Sequence, residues 1–128
     1  MTEQEIYDLC GEWKQRLGLC DWMIAIRPNC KPEDMSEQNV SGSTTYTEVC
    51  KAAMMELIDP QYYGERIRPL DLEKTIVHEM LHLKLALVAD HVGEMQERYM
   101  HQIIDDLARA FVDAKRKGTT YETPTEDR

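Results

Sequence analysis

The chain has 128 residues, 42% of them apolar, with 15 basic and 24 acidic side chains and a formal net charge of −9. That length suits one domain with a modest core and excludes wholesale disorder. The acidic balance speaks against nucleic-acid binding and against docking on anionic membranes, both of which need a basic face. A cation or a peptide partner stays open.

The start, Met1-Thr2-Glu3-Gln4-Glu5, has neither the basic residues nor the apolar run of a secretory signal. The longest apolar stretch, Ile76 to Ala89, is interrupted by His78, Glu79, His82 and Lys84 and falls short of the roughly 18 residues of a membrane span. Cys10, Cys20, Cys30 and Cys50 form no Cys-x-x-Cys pair, so free thiols in a cytoplasmic, monomeric protein are expected.

Thr2-x-x-Glu5 has the form of a capping box. It opens a helix over 3–17 with Ile6, Leu9, Cys10, Trp13 and Leu17 on its apolar face and Gly18 at its end. Trp22 to Ile26 reads as a strand stopped by Pro28, and 29–41 as a polar loop. Thr44–Val49 and Lys51–Ile58 read as two further strands or one long bent one. Both alternations in the second are weakly apolar, which leaves its faces unassigned. Asp71 is the predicted N-cap of a helix reaching about Ala89, apolar almost all round and therefore central. After a break at Asp90–Gly93, a last helix is expected over about Glu94–Lys115, burying Met100, Ile103, Ile104, Leu107 and Phe111. The fold class is α+β: an N-terminal helix, a small three-stranded and mostly antiparallel sheet, a motif helix and a C-terminal helix. The domain spans 1–116, followed by a polar tail over 117–128.

The chemistry concentrates in Thr75-Ile76-Val77-His78-Glu79-Met80-Leu81-His82. Residues four apart on a helix lie about 40° apart around its axis and one turn apart along it, so His78 and His82 can reach one metal ion from one side. Glu79, beside the first histidine, can reach a water on that metal. This is the mechanical content of a His-Glu-x-x-His zinc site. Burying these side chains in an apolar helix without partners would be costly.

A catalytic zinc site needs a third protein ligand. Val88 stands where a histidine of the metzincin spacing would be, and His91 could serve only if the chain reversed at Asp90. Glu97, His101 and Asp105 recur every four residues on the last helix, on a face bordering its apolar stripe. Antiparallel packing of the two helices would turn that face toward the motif.

With these motifs the sequence resembles the gluzincin metallopeptidases, most of all the small single-domain minigluzincins of bacteria and phages. The resemblance spans most of the chain. It implies a glutamate on the helix after the motif as third zinc ligand and an aspartate four residues later that orients a ligand histidine. Matched through Ile103-Ile104-Asp105-Asp106-Leu107-Ala108-Arg109-Ala110, this chain has His101 at the glutamate position and Asp105 at the aspartate position. Imidazole is an equally good zinc ligand, so the implied set is His78, His82 and His101, with Glu97 as rival.

The resulting expectation is a zinc peptidase acting on a peptide or protein, with Glu79 as general base. Tyr62, Tyr63, Tyr99 and His91 are candidate oxyanion donors, and Lys51–Ile58 is the expected edge strand for an extended substrate. Three other readings stand beside it. One is a SprT-like or phage-repressor-cleaving protease. Another is a non-catalytic module stabilised by metal, and the third is a latent enzyme whose tail lies across the cleft.

Overall fold

The computed structural model describes residues 1–64, 66–89 and 93–121. Helix α1 (Glu3–Arg16) begins at the expected capping box: Thr2 Oγ1 accepts from the Glu5 amide at 3.1 Å, and Glu5 Oε1 accepts from the Thr2 amide at 2.7 Å. Strands β1 (Met23–Cys30), β2 (Gly42–Thr47) and β3 (Ala52–Ile58) form one sheet. Helix α2 (Leu72–Lys84) carries the motif and starts at Asp71, whose carboxylate accepts from the Lys74 amide. A short α3 (Ala86–Ala89) follows, and α4 (Glu94–Tyr121) closes the fold. The fold is α+β, as the sequence implies.

The sheet is mixed rather than mostly antiparallel. Its order is β1-β3-β2, with β3 parallel to β1 and antiparallel to β2. β3 is therefore the central strand, hydrogen-bonded on both sides, and the Lys51–Ile58 segment cannot be the edge that receives a substrate. β1 also continues through Pro28 to Cys30. It tolerates the proline because it is an edge strand whose register slips between Arg27 and Cys30.

Both faces of β3 are covered toward its C-terminal end, where Met55 to Ile58 are all buried, although Met54 is exposed, so its alternation does not separate an inner from an outer face. Met55 and Leu57, together with Ile24 and Ile26 of β1 and Tyr46 of β2, face the helices and join the main core. Ile58 on the other face packs with Cys30 and Met35 in a smaller cluster. Glu56, also on that face, accepts from the Ser36 amide at 3.0 Å and meets Arg27 at 3.4 Å.

The main core holds Ile6, Cys10 and Trp13 of α1, Ile76, Val77 and Met80 of α2, and Ile104, Ala108 and Val112 of α4. The motif helix is central, as its composition implies. It ends at Lys84 rather than Ala89, and Leu87 and Val88 beyond it are exposed. The stripe expected on α4 is only partly buried. Ile104 is buried and Met100 packs against the core, but Ile103, Leu107 and Phe111 are 55, 38 and 38% exposed. The apolar arc of this helix is wider than the groove that receives it. The helix also runs through 117–121, which the sequence assigns to the tail, and 122–128 lie outside the described residues.

α4 packs antiparallel on α2. Arg116 meets Asp71, Lys74 meets Asp113, and His78 meets Asp105, so pairs descend on one helix as they ascend on the other. At the far end from the histidines, Glu73 is buried but fully engaged: Trp13 Nε1 donates to it at 2.7 Å, and Lys115 and Arg116 both pair with it. This cluster ties α1, α2 and α4 together and fixes the height at which α4 presents residue 101.

Candidate metal centre

One turn of α2 separates His78 from His82, whose ring centroids are 5.2 Å apart. α4 brings His101 to 4.8 Å from the His82 ring and 6.3 Å from the His78 ring. One ligand atom from each of the three lies within 4.8 Å of the others, so the group can hold a metal ion. Glu97, one turn before His101, stands outside this trio. Its side chain is 62% exposed, and its carboxylate comes only to 3.9 Å from His101 Nε2.

The donor set suits a metal. Burial disfavours the charged form of both histidines on α2. It lowers the His82 imidazole to about 4, helped by the neighbouring His78 and His101. It lowers His78 less, because Asp105 pulls the other way. Both rings are therefore neutral near pH 7, with a lone pair to offer. The Asp105 carboxylate lies 3.4 Å from His78 Nδ1, which leaves Nε2 as the free nitrogen. Asp105 is itself held by Arg68 at 2.9 Å and Arg109 at 2.8 Å. Partial burial raises its carboxyl, but those two arginines and His78 bring it below its ordinary value.

Glu79 is buried beside the histidines. Thr44 Oγ1 donates to Glu79 Oε1 at 2.7 Å. Burial pushes its carboxyl up to about 7; the Thr44 bond opposes the shift and the nearby Glu37 adds to it. Thr44 is placed by strand alternation: Gly42, Thr44 and Tyr46 share the face of β2 that meets α2. The approach is close enough that a Cβ on Gly42 would lie 2.7 Å from Thr75 Cγ2 and 3.1 Å from Glu79 Cγ.

These groups line one open cleft of about 490 Å³. Its walls are the loop before β2, the helix-facing side of β2, α2, His101 of α4, and the segment that carries Tyr63, Arg66 and Arg68. Of the candidate oxyanion donors, Tyr63 lines the cleft, but its hydroxyl is engaged by the Arg68 carbonyl at 2.9 Å. Tyr62 and Tyr99 do not line it, and His91 lies outside the described residues. Thr44, Arg66 and Arg68 escaped the sequence reading. The period-two pattern of β2 could have pointed to Thr44, but nothing local marks the two arginines.

No known protein family, no curated protein and no solved structure matches the chain. Among the described residues, no helix is long and apolar enough to cross a membrane.

Proposed function

We propose that the chain is a zinc-dependent peptidase of the minimal, gluzincin-like kind, with His78, His82 and His101 as metal ligands and Glu79 as general base. The observation that carries this reading is the convergence of three imidazoles from two helices, with a hydrogen-bonded, buried carboxyl beside them in the same open cleft. Three imidazoles suit zinc among the common divalent ions. When bound, zinc supplies Lewis acidity toward water and toward a scissile carbonyl.

The chain's own residues supply the rest. Thr44 anchors Oε1 of Glu79 and leaves Oε2 to move a proton. A carboxyl near 7 is poised to take a proton from the attacking water and return it to the departing amine. Asp105 holds the His78 ring in one orientation. β2 is an edge strand whose residues line the cleft, so its unpaired side can receive an extended peptide by strand addition. The substrate is accordingly a peptide or a loosely structured protein segment.

Glu79→Gln should retain stoichiometric zinc and lose hydrolysis of a peptide pool. Full activity in that variant would remove the proposed base. Zinc content after dialysis separates the ligand models: His101→Ala should lose the metal and Glu97→Ala should keep it. The reverse pattern would restore Glu97 as third ligand. Tight zinc without hydrolysis of any peptide would favour the non-catalytic metal module.

A further inference from the structure

Two arginines stand on the wall of the cleft, and they are held in different ways. Arg68 is committed: its guanidinium pairs with the Asp105 carboxylate at 2.9 Å. Arg66 is held differently. Its guanidinium carbon stacks 4.4 Å from the Tyr63 ring centre, and its Nε donates to the Tyr63 carbonyl at 3.1 Å. Tyr63 is tied in turn by its hydroxyl to the Arg68 carbonyl at 2.9 Å. Among the described residues, Arg66 forms no ion pair. Stack and Nε bond together fix the plane of the guanidinium while leaving its two terminal nitrogens to donate.

That is the preparation a bidentate carboxylate contact needs. Arginine presents a planar fork that matches two carboxylate oxygens, and fixing the fork beforehand lowers the ordering cost of binding. The placement also runs against the chain's net charge of −9, which by itself would repel anions. Among the described residues, the acidic groups that line the same cleft are Glu79 and Glu37, and each has a hydroxyl partner. Glu79 accepts from Thr44, and Glu37 meets Ser43 at 3.4 Å.

We propose that Arg66, stacked on Tyr63, is the specificity residue of this cleft and selects peptides that bring a carboxylate to it. This deepens the peptidase reading and rests on it for the direction in which a peptide lies. Two sources share that chemistry: an acidic side chain within the substrate, and a free C-terminus.

The test is binding rather than turnover. Full-chain Glu79→Gln protein, with and without one equivalent of zinc, is titrated with three short N-acetylated peptides followed by NMR chemical shifts. One has an internal Glu and an amidated end, the second has Gln in its place and an amidated end, and the third has Gln and a free C-terminus. At least one carboxylate peptide should bind about tenfold tighter than the neutral one, the scale of one added charged hydrogen bond. Which one it is identifies the source. The preference should survive without zinc and disappear in Arg66→Ala, with Arg66→Lys recovering only part of it. Equal binding of all three peptides, no measurable binding by any, or a preference unchanged by Arg66→Ala would overturn the assignment. A preference that depends on Arg66, found with a wild-type protein that cleaves nothing, would uphold the anchor and sink the peptidase reading.

Discussion

The contact of β2 with the motif helix rests on one missing atom. Gly42 is buried and faces α2 where a side chain has no room. In Gly42→Ala the new methyl would stand 2.7 Å from Thr75 Cγ2 and 3.1 Å from Glu79 Cγ, against an ordinary carbon contact near 3.5–4.0 Å. The strand must move outward or Thr75 must turn. Overpacking of this kind costs roughly 1–3 kcal/mol, which for a chain of this size lowers Tm by roughly 3–5 °C per kcal/mol. The tighter clash is with a methyl group, so Thr75→Ser removes it while keeping the hydroxyl that meets Ser41 at 3.2 Å. In the Gly42→Ala background, Thr75→Ser should therefore recover part of the lost stability, although alone it is mildly destabilising. The remaining loss belongs to Glu79 Cγ. Urea unfolding of the four proteins of this cycle measures the coupling. If Gly42→Ala costs less than about 0.5 kcal/mol, or if the two changes simply add, the close approach is not what fixes β2 against α2.

Other outcomes follow from the same contacts. Asp105→Asn should weaken zinc binding about 10- to 100-fold through the lost grip on His78, as competition with a chelator would measure; unchanged affinity would remove that role. Thr44→Val deletes a hydrogen bond that lowers the Glu79 carboxyl, so the carboxyl should titrate at higher pH in the metal-free variant, read by carbon-13 NMR; a downward move would contradict the assignment. Burial raises the Glu73 carboxyl, but Lys115, Trp13 and Arg116 outweigh it and hold the group below its ordinary value of 4.5. A depressed carboxyl stabilises the fold above its unfolded value and loses that contribution as pH falls through its folded one. Stability should thus decline on acidification below about pH 5, and Glu73→Gln should flatten that limb in urea midpoints measured against pH. A limb of unchanged steepness would assign acid sensitivity elsewhere.

How far the site was legible depends on how local each contact is. His78, Glu79 and His82 lie within one turn of one helix, where the 3.6-residue period fixes relative direction before any tertiary contact forms. The motif could therefore be read as geometry. His101 needed one added assumption, antiparallel packing across a short connection, and Asp105 came with it because it lies one turn further on. The capping box at Thr2 and the cap at Asp71 were legible for the same reason: side chain and amide are three residues apart.

What was not legible depends on partners far along the chain. The parallel pairing of β1 with β3 comes from inserting a strand between two that are adjacent in sequence, and no residue of β1 signals it. Pro28 reads locally as a stop, and only its place on an edge makes it tolerable. The faces of β3 stayed ambiguous because Ile58 is covered by Cys30 and Met35 as fully as Leu57 is by the helices. On α4, Ile103 and Ile104 are chemically identical, yet one is 55% exposed and the other 0%. The choice between them is made by the Glu73 cluster and the Asp105 contacts, which set the rotation of the whole helix.

That rotation links the fold to the site. If Ile103 rather than Ile104 faced the core, the helix would turn by about 100° and carry His101 away from His78 and His82. The polar pairs that prevent it sit at both ends of the interface: Lys115 and Arg116 on Glu73 at one, Asp105 beside His78 at the other. Hydrophobic burial alone does not discriminate between two adjacent isoleucines, because it is non-directional and scales with area. Directional contacts do. The polar pairs of this acidic chain thus hold the face that α4 presents, and with it the His101 imidazole beside His78 and His82.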